Sequence, residues 1–239
     1  TYSHYKALLL HERKLLKDIF DVMELSITHS VVLDRWKKVN TTLLLKYAGQ
    51  PKIHRMRTIH IIEAELQFIS KHVYVHQMMH NAERFQLITD EQYGGRKSRQ
   101  AQSAVINKVL YGNISLQTRV SWACMDDDAR ACYDRIIPCL SAVEGRKWGL
   151  SYEEAVFTTK VLQQQVFAIR TSTGVTTDTY TYSSTNPIQG AGQGIGWAGP
   201  KWICTSDTIS QIMNDKCPGM KFTDPFNTIC VVKVADFFI

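Results

Sequence analysis

The residues best suited to chemistry in this chain lie between Val120 and Pro138, in the run VSWACMDDDARACYDRIIP. It holds three consecutive carboxylates, Asp126, Asp127 and Asp128. A fourth, Asp134, comes six residues after the last of them, with Tyr133 beside it. Carboxylates crowded at the end of a strand-like alternation repel one another unless a cation sits among them. A hard divalent ion, which prefers oxygen ligands, is the usual neutraliser. A solvated acidic turn is the alternative reading of the same run.

Three further stretches carry residue types with chemical meaning. In EQYGGRKSR the Gly94-Gly95 pair makes a tight turn that exposes backbone amides. Arg96, Lys97 and Arg99 follow it, and a helix is predicted to start near Ser98. Exposed amides and guanidinium groups at a helix start make a phosphate seat; a basic turn without a ligand is the other possibility. In NPIQGAGQGIGWAGP glycines alternate at 190, 192, 194 and 196, and a fifth stands at 199. Counted from Gly190 or Gly192, a dinucleotide fingerprint would need glycine at 195 or 197, where Ile195 and Trp197 stand. Gly194, Gly196 and Gly199 do have its spacing, but a lone match is a weak signal, and no Gly-Lys-Ser/Thr triplet occurs. The segment therefore reads as a flexible loop feeding a helix whose first turn holds Pro200. His72, His76 and His80, spaced four apart, fall on one helical face. The HExxH pattern of zinc proteases is absent, so they read as a polar or packing face, with zinc as the weakest option.

The elements that must position these residues follow from local pattern. Residues 4–28 read as a helix from apolar spacing of three and four. VVLDRWKKV reads as a helix or long turn, TTLLLKY as a strand, and the segment from Ile62 to Phe85 as a helix with a basic approach. Ser151 and Glu154 have the form of a capping box opening a helix to about Arg170. VTTDTYTYSST is β-prone, and FNTICVVKVADFFI reads as a strand, a turn at Ala235-Asp236 and the start of another strand.

Length and composition fit an ordinary globular chain, with no apolar run of membrane-spanning length. No secretory signal is apparent and the chain begins without Met, so it reads as an internal piece of a longer protein. Six cysteines without a CxxC pair imply free thiols in a reducing compartment, hence an intracellular protein, nuclear or cytoplasmic. Residues 1–118 hold 17 basic and 10 acidic side chains, a net of +7, and residues 119–239 hold 11 and 12, a net of −1. A basic half joined to an acid-centred half suits a protein that grips a polyanion and places metal ions beside it.

In this order, PKIHRMRTIHIIEAE, EQYGGRKSR, MDDDARACYDRI, NPIQGAGQG and VADF resemble the fingers and palm of reverse transcriptases. The likeness is closest to retrotransposon-like sequences of diatoms and other algae, and it runs from His4 to Asp236. It implies an α+β right-hand polymerase fold: helical fingers at 1–118, a palm strand at 119–140, a connecting helix and strand at 141–185, and further palm at 186–239. The palm would be an antiparallel sheet, and the thumb would be missing. By that resemblance Asp128 and Asp236 are the catalytic metal ligands for Mg2+ or Mn2+, with the backbone of Ala129 assisting. Tyr133 is the steric gate under the sugar. Arg96 and Lys97 contact the incoming triphosphate, and Gln193 and Gly194 lie under the nucleotide. Lys52, Arg55, Arg57 and Arg99 are the expected nucleic-acid contacts. The implied partners are an RNA template, a DNA primer and dNTPs, with no membrane. Two positions depart from the pattern: Gly95 stands where Phe is common, and Phe237 stands where a second aspartate is usual. The second departure keeps open a decayed polymerase domain that binds nucleic acid without turnover.

Overall fold

The structure is a computed structural model that describes residues 2–46, 49, 52, 56–121, 129, 131–183, 185, 188–216, 220–223 and 229–232. Its elements are, in order, α1 (Tyr2–His11), α2 (Arg13–Thr28), α3 (Asp34–Lys37), β1 (Lys38–Leu45) and β2 (Met56–Ile61). A helical rod follows: α4 (Ala64–Lys71), a π-helical turn (His72–Met78) and α5 (Met79–Arg84). Then come α6 (Ala101–Thr118), a 3-10 turn (Cys132–Arg135), α7 (Pro138–Lys147), α8 (Tyr152–Gln163), β3 (Val166–Thr171), β4 (Gly174–Thr181), α9 (Ala198–Lys216), β5 (Met220–Thr223) and β6 (Ile229–Val232). Among the described residues no helix is long and apolar enough to cross a membrane.

The class is α+β, as expected, and the larger sheet is mixed. Its order is β2-β1-β3-β4; β1 pairs antiparallel with β2 and parallel with β3, which closes antiparallel on β4. Two of its strands lie within residues 1–118, so that region is not purely helical. β5 and β6 form a separate antiparallel hairpin. The strands expected to carry Asp128 and Asp236 lie outside the described residues.

Ser151 caps α8 as the capping box predicts: its side chain accepts from the Glu154 amide, and the Glu154 carboxylate accepts from the Ser151 amide. The helix ends at Gln163 rather than near Arg170. From Val166 the chain is β-branched and aromatic, and it pairs in register with Lys38–Thr42 of β1. A helix start at Ser98 is also corrected. Ser98 has φ +62°, a left-handed conformation that interrupts a helix, so α6 begins at Ala101.

One apolar core draws on all four expected segments. Met23 and Trp36, the rod residues Leu66, Tyr74 and Met78, then Ile136, Phe157 and Val161, and finally Trp197 and Ile203 are buried together. Phe157 meets Trp36 edge-on, and the Tyr74 hydroxyl bonds Thr158 Oγ1 at 2.7 Å. The core thus anchors the rod, α8 and α9 to one another, and the loops between them carry the candidate site.

Candidate functional site

Tyr133 and Asp134 sit on the 3-10 turn Cys132–Arg135, which the left-handed Ala131 introduces. The glycine-rich segment lies directly against that turn. The Gly190 amide donates to the Ile136 carbonyl at 2.8 Å, and the Ala191 amide donates to the Tyr133 carbonyl at 2.9 Å. Gly190 has φ +83°, and a Cβ there would stand 3.0 Å from Asp134 Cα and from the Tyr133 carbonyl oxygen. Backbone runs on backbone, which only glycine permits.

The same segment is held on two more sides. The His60 amide of β2 donates to the Gln193 carbonyl at 2.8 Å. Gly194, with φ +102°, passes so close that a Cβ would come within 2.9 Å of the His60 oxygen. Gln67 of α4 bridges the loop: its Nε2 donates to the Gly194 carbonyl at 3.2 Å, and its Oε1 accepts from the Gly196 amide at 3.1 Å. Trp197 Nε1 donates to the Ala191 carbonyl at 2.9 Å. The fold therefore brings Tyr133, Asp134, Gln193 and Gly194 into one junction at the edge of β2.

His60 is the titratable group at this junction that sequence reasoning missed. Its Nδ1 is buried without a hydrogen-bond partner, and its ring meets Phe167 edge-on at 5.1 Å. Burial lowers its pKa, with the Asp134 carboxylate acting in the opposite direction. Burial likewise raises the pKa of Tyr133 and that of Tyr182, which also feels Tyr180 and Asp134. The Tyr182 hydroxyl donates to the Gln189 carbonyl at 3.1 Å, closing the junction from the β4 side.

The Gly94-Gly95 turn builds a second region. Arg96 is a bracket within it: Nε and Nη2 both donate to the Glu83 carboxylate at 2.8 Å, and Nη1 donates to the carbonyls of Thr89 and Gln92. The Arg96 side chain is only 7% exposed. Arg99 pairs with Asp90 at 2.7 Å and lies over the Tyr93 ring. Lys97 is exposed, with no ion-pair partner among the described residues. It lines a cleft of about 770 Å3 together with His76, His80, Ser98 and the first turn of α9 at Gly199 and Pro200. Gly95 has φ +67°, a conformation that L side chains rarely adopt, which accounts for a glycine at this position; a Cβ there would also lie 2.7 Å from Ile203 Cδ1.

His72, His76 and His80 do not share one face. The π-helical turn widens their spacing. His72 stacks on Phe68, whereas His76 and His80 line the Lys97 cleft. Among the described residues no three His, Cys, Asp or Glu side chains gather as a metal site. Lys52 and Arg57 are exposed, Arg57 on β2. Ala129 is exposed, and Asp128, Asp236 and Arg55 lie outside the described residues.

Glu83 and Gln67, which fix the two loops, had no local sequence signal, since each acts on a segment distant in the chain. Compared with known proteins, the chain matches no family model and no characterised protein.

Proposed function

We infer that this chain is the fingers and palm of an RNA-directed DNA polymerase of a retroelement, joining a dNTP to a primer 3′-hydroxyl. The observation that carries the reading is the docking of the Gln193-Gly194 loop on the Tyr133 turn. Two segments that resemble separate polymerase motifs meet through the Gly190 and Ala191 amides. Asp128 and Asp236 would hold Mg2+ or Mn2+, with Ala129 beside them. Ions bound there would supply charge neutralisation and an activated hydroxyl.

The chain's own residues contribute positioning, on which phosphoryl transfer chiefly depends. Tyr133 packs under the sugar and disfavours a 2′-hydroxyl, and the Gln193-Gly194 backbone forms the floor beneath the base pair. Lys97 faces the triphosphate, and the N-terminus of α9 adds a partial positive charge to the same cleft. Arg96 serves the triphosphate by shaping the turn that presents Lys97. Lys52, Arg55, Arg57 and Arg99 hold the nucleic-acid backbone.

The test is extension of a DNA primer on an RNA template by the full-length protein, with Mg2+ and with Mn2+. Metal-dependent extension is expected, Asp128→Ala abolishes it, and Phe237→Asp raises it. Equal extension by Asp128→Ala would refute the site. Phe237 itself favours a second reading, a domain that binds nucleic acid without turnover. That reading requires salt-dependent binding with no pyrophosphate release on addition of nucleotides.

A further inference from the structure

A separate cleft of about 640 Å3 opens between α2, the α4–π rod and the start of α8. Its floor is apolar: Phe20, Met23 and Ile27 come from α2, and Phe68, Ile69 and Val73 from the rod. Met23, Ile69 and Val73 belong to the core, but Phe20 and Phe68 remain 38% and 42% exposed. Their ring centroids are 5.5 Å apart, and His72 stacks on Phe68 at 6.0 Å with planes 6° apart. Aromatic rings left open beside a concave apolar floor mark a surface suited to binding. The volume lies in the range of small-ligand sites, roughly 300–1,000 Å3.

The mouth of this cleft is acidic. Glu24 of α2 and Glu153 and Glu154 of α8 line it, and among the described residues no lysine or arginine does. Glu154 is already engaged, accepting from the Ser151 amide at 2.8 Å and the Gln77 side chain at 3.4 Å. Glu24 and Glu153 have no ion-pair partner among the described residues. On a chain of net charge +6, carboxylates without an ion-pair partner turn phosphates away and draw cations in. The partly exposed rings of Phe20 and Phe68 attract cations as well.

The geometry points to a binding site for a small organic cation. Its ammonium group is held at Glu24 and Glu153, and its apolar or aromatic body lies against Phe20, Phe68 and the Met23–Ile27 floor. This site shares no residue with the Lys97 cleft and does not depend on the polymerase reading.

Three fluorescent probes of one shape and different charge test it: 1-naphthylmethylammonium, the neutral 1-naphthalenemethanol and the anionic 1-naphthoate, each titrated into the protein. The ammonium is expected to bind about tenfold more tightly than the alcohol, and the carboxylate not at all. The double variant Glu24→Gln/Glu153→Gln lowers the ammonium affinity most of the way to that of the alcohol and leaves the alcohol unchanged. Thr28→Trp, an exposed rim position, lowers both, and circular-dichroism melts check that each variant is folded. Equal affinity for the three probes, or an ammonium affinity unchanged in the double variant, overturns the proposal. Retention of both probes by Thr28→Trp places their site elsewhere and also overturns it. Saturable binding of a Leu/Lys amphipathic peptide with no binding of the ammonium would assign the cleft to a protein partner and end the small-cation reading.

Discussion

The amide of Ala191 donates to the carbonyl of Tyr133 across 2.9 Å, and this bond with its neighbour from Gly190 to Ile136 ties the glycine-rich loop to the turn after the acidic run. The join leaves no room for a side chain. Gly190→Ala would force a Cβ against Asp134 Cα and the Tyr133 carbonyl at a left-handed φ. A loss of about 2 kcal/mol is expected in urea denaturation. Gly199, with nothing within 4 Å of a Cβ, is the control; Gly199→Ala should be neutral or stabilising. Equal effects of the two changes would mean that the docking carries no stability.

Arg96 and Glu83 make the second join, through a fork of two 2.8 Å bonds on a nearly buried guanidinium. Glu83→Gln and Arg96→Lys should each cost about 2 kcal/mol, because a lysine cannot reproduce the planar fork and a partner is left unpaired. The double variant should cost less than the sum, as expected for one shared interaction. Lys97→Ala, on the exposed side of the same turn, should change stability by no more than about 0.5 kcal/mol. It should weaken dNTP binding, measured by titration.

Acid should loosen the His60 junction. Burial holds the imidazole below its ordinary pKa of 6.5, so on acidification the unfolded chain takes up a proton before the folded one does. The stability associated with neutral His60 is full above pH 6.5 and is lost as pH falls through the folded value. His60→Asn cannot titrate, so its urea midpoint should decline less steeply than wild type between pH 6.5 and pH 5. Parallel curves would show that His60 does not sense pH.

Lys201 presents the opposite situation, a cation held where water cannot reach it. Its side chain is fully buried, and its Nζ lies 5.0 Å from the Tyr74 ring centre and 5.8 Å from that of Trp197, without a hydrogen-bond partner. Burial pulls its pKa down from 10.5 to about 8, while the neighbouring Cys204 thiol, raised by burial to about 12, stays neutral through that window. Between pH 8 and 10.5 the unfolded chain binds the proton and the folded one does not. Stability should therefore rise with pH across that interval, by roughly 3 kcal/mol from this group. Lys201→Met should be more stable than wild type at pH 7, and the difference should vanish by pH 10.5, as read from paired denaturation curves.

What was legible in the sequence was local. The Ser151 capping box, the amphipathic α2 and the strand at TTLLLKY each announce themselves within a few residues, and each is present in the fold. The parallel pairing of β1 with β3 has no such signature, because its partners are more than a hundred residues apart. Local pattern alone therefore carries α8 on through Val166 to about Arg170. The same limit applies to the site. Tyr133 and the Gln193-Gly194 loop could be singled out by motif, but His60, Gln67 and Glu83 matter only through where the fold brings them. The resemblance of EQYGGRKSR implies a triphosphate contact for Arg96, whereas its engagement with Glu83 depends on a residue outside that motif.

The π-helical turn at His72–Met78 introduces an angular offset into an otherwise continuous rod. A π turn bonds i→i+5 rather than i→i+4 and so holds about one residue more than an α turn; rewinding this segment as α-helix with no residue removed would swing everything beyond it by about 100°. Glu83 would turn away from Arg96, and Met79 and Ala82 would leave the core they now fill. The offset also lets one rod present Phe68 and His72 to one cleft and His76 and His80 to another. Rewinding the turn at unchanged length should therefore disturb both recesses at once, a coupling that no substitution on either face alone would reproduce.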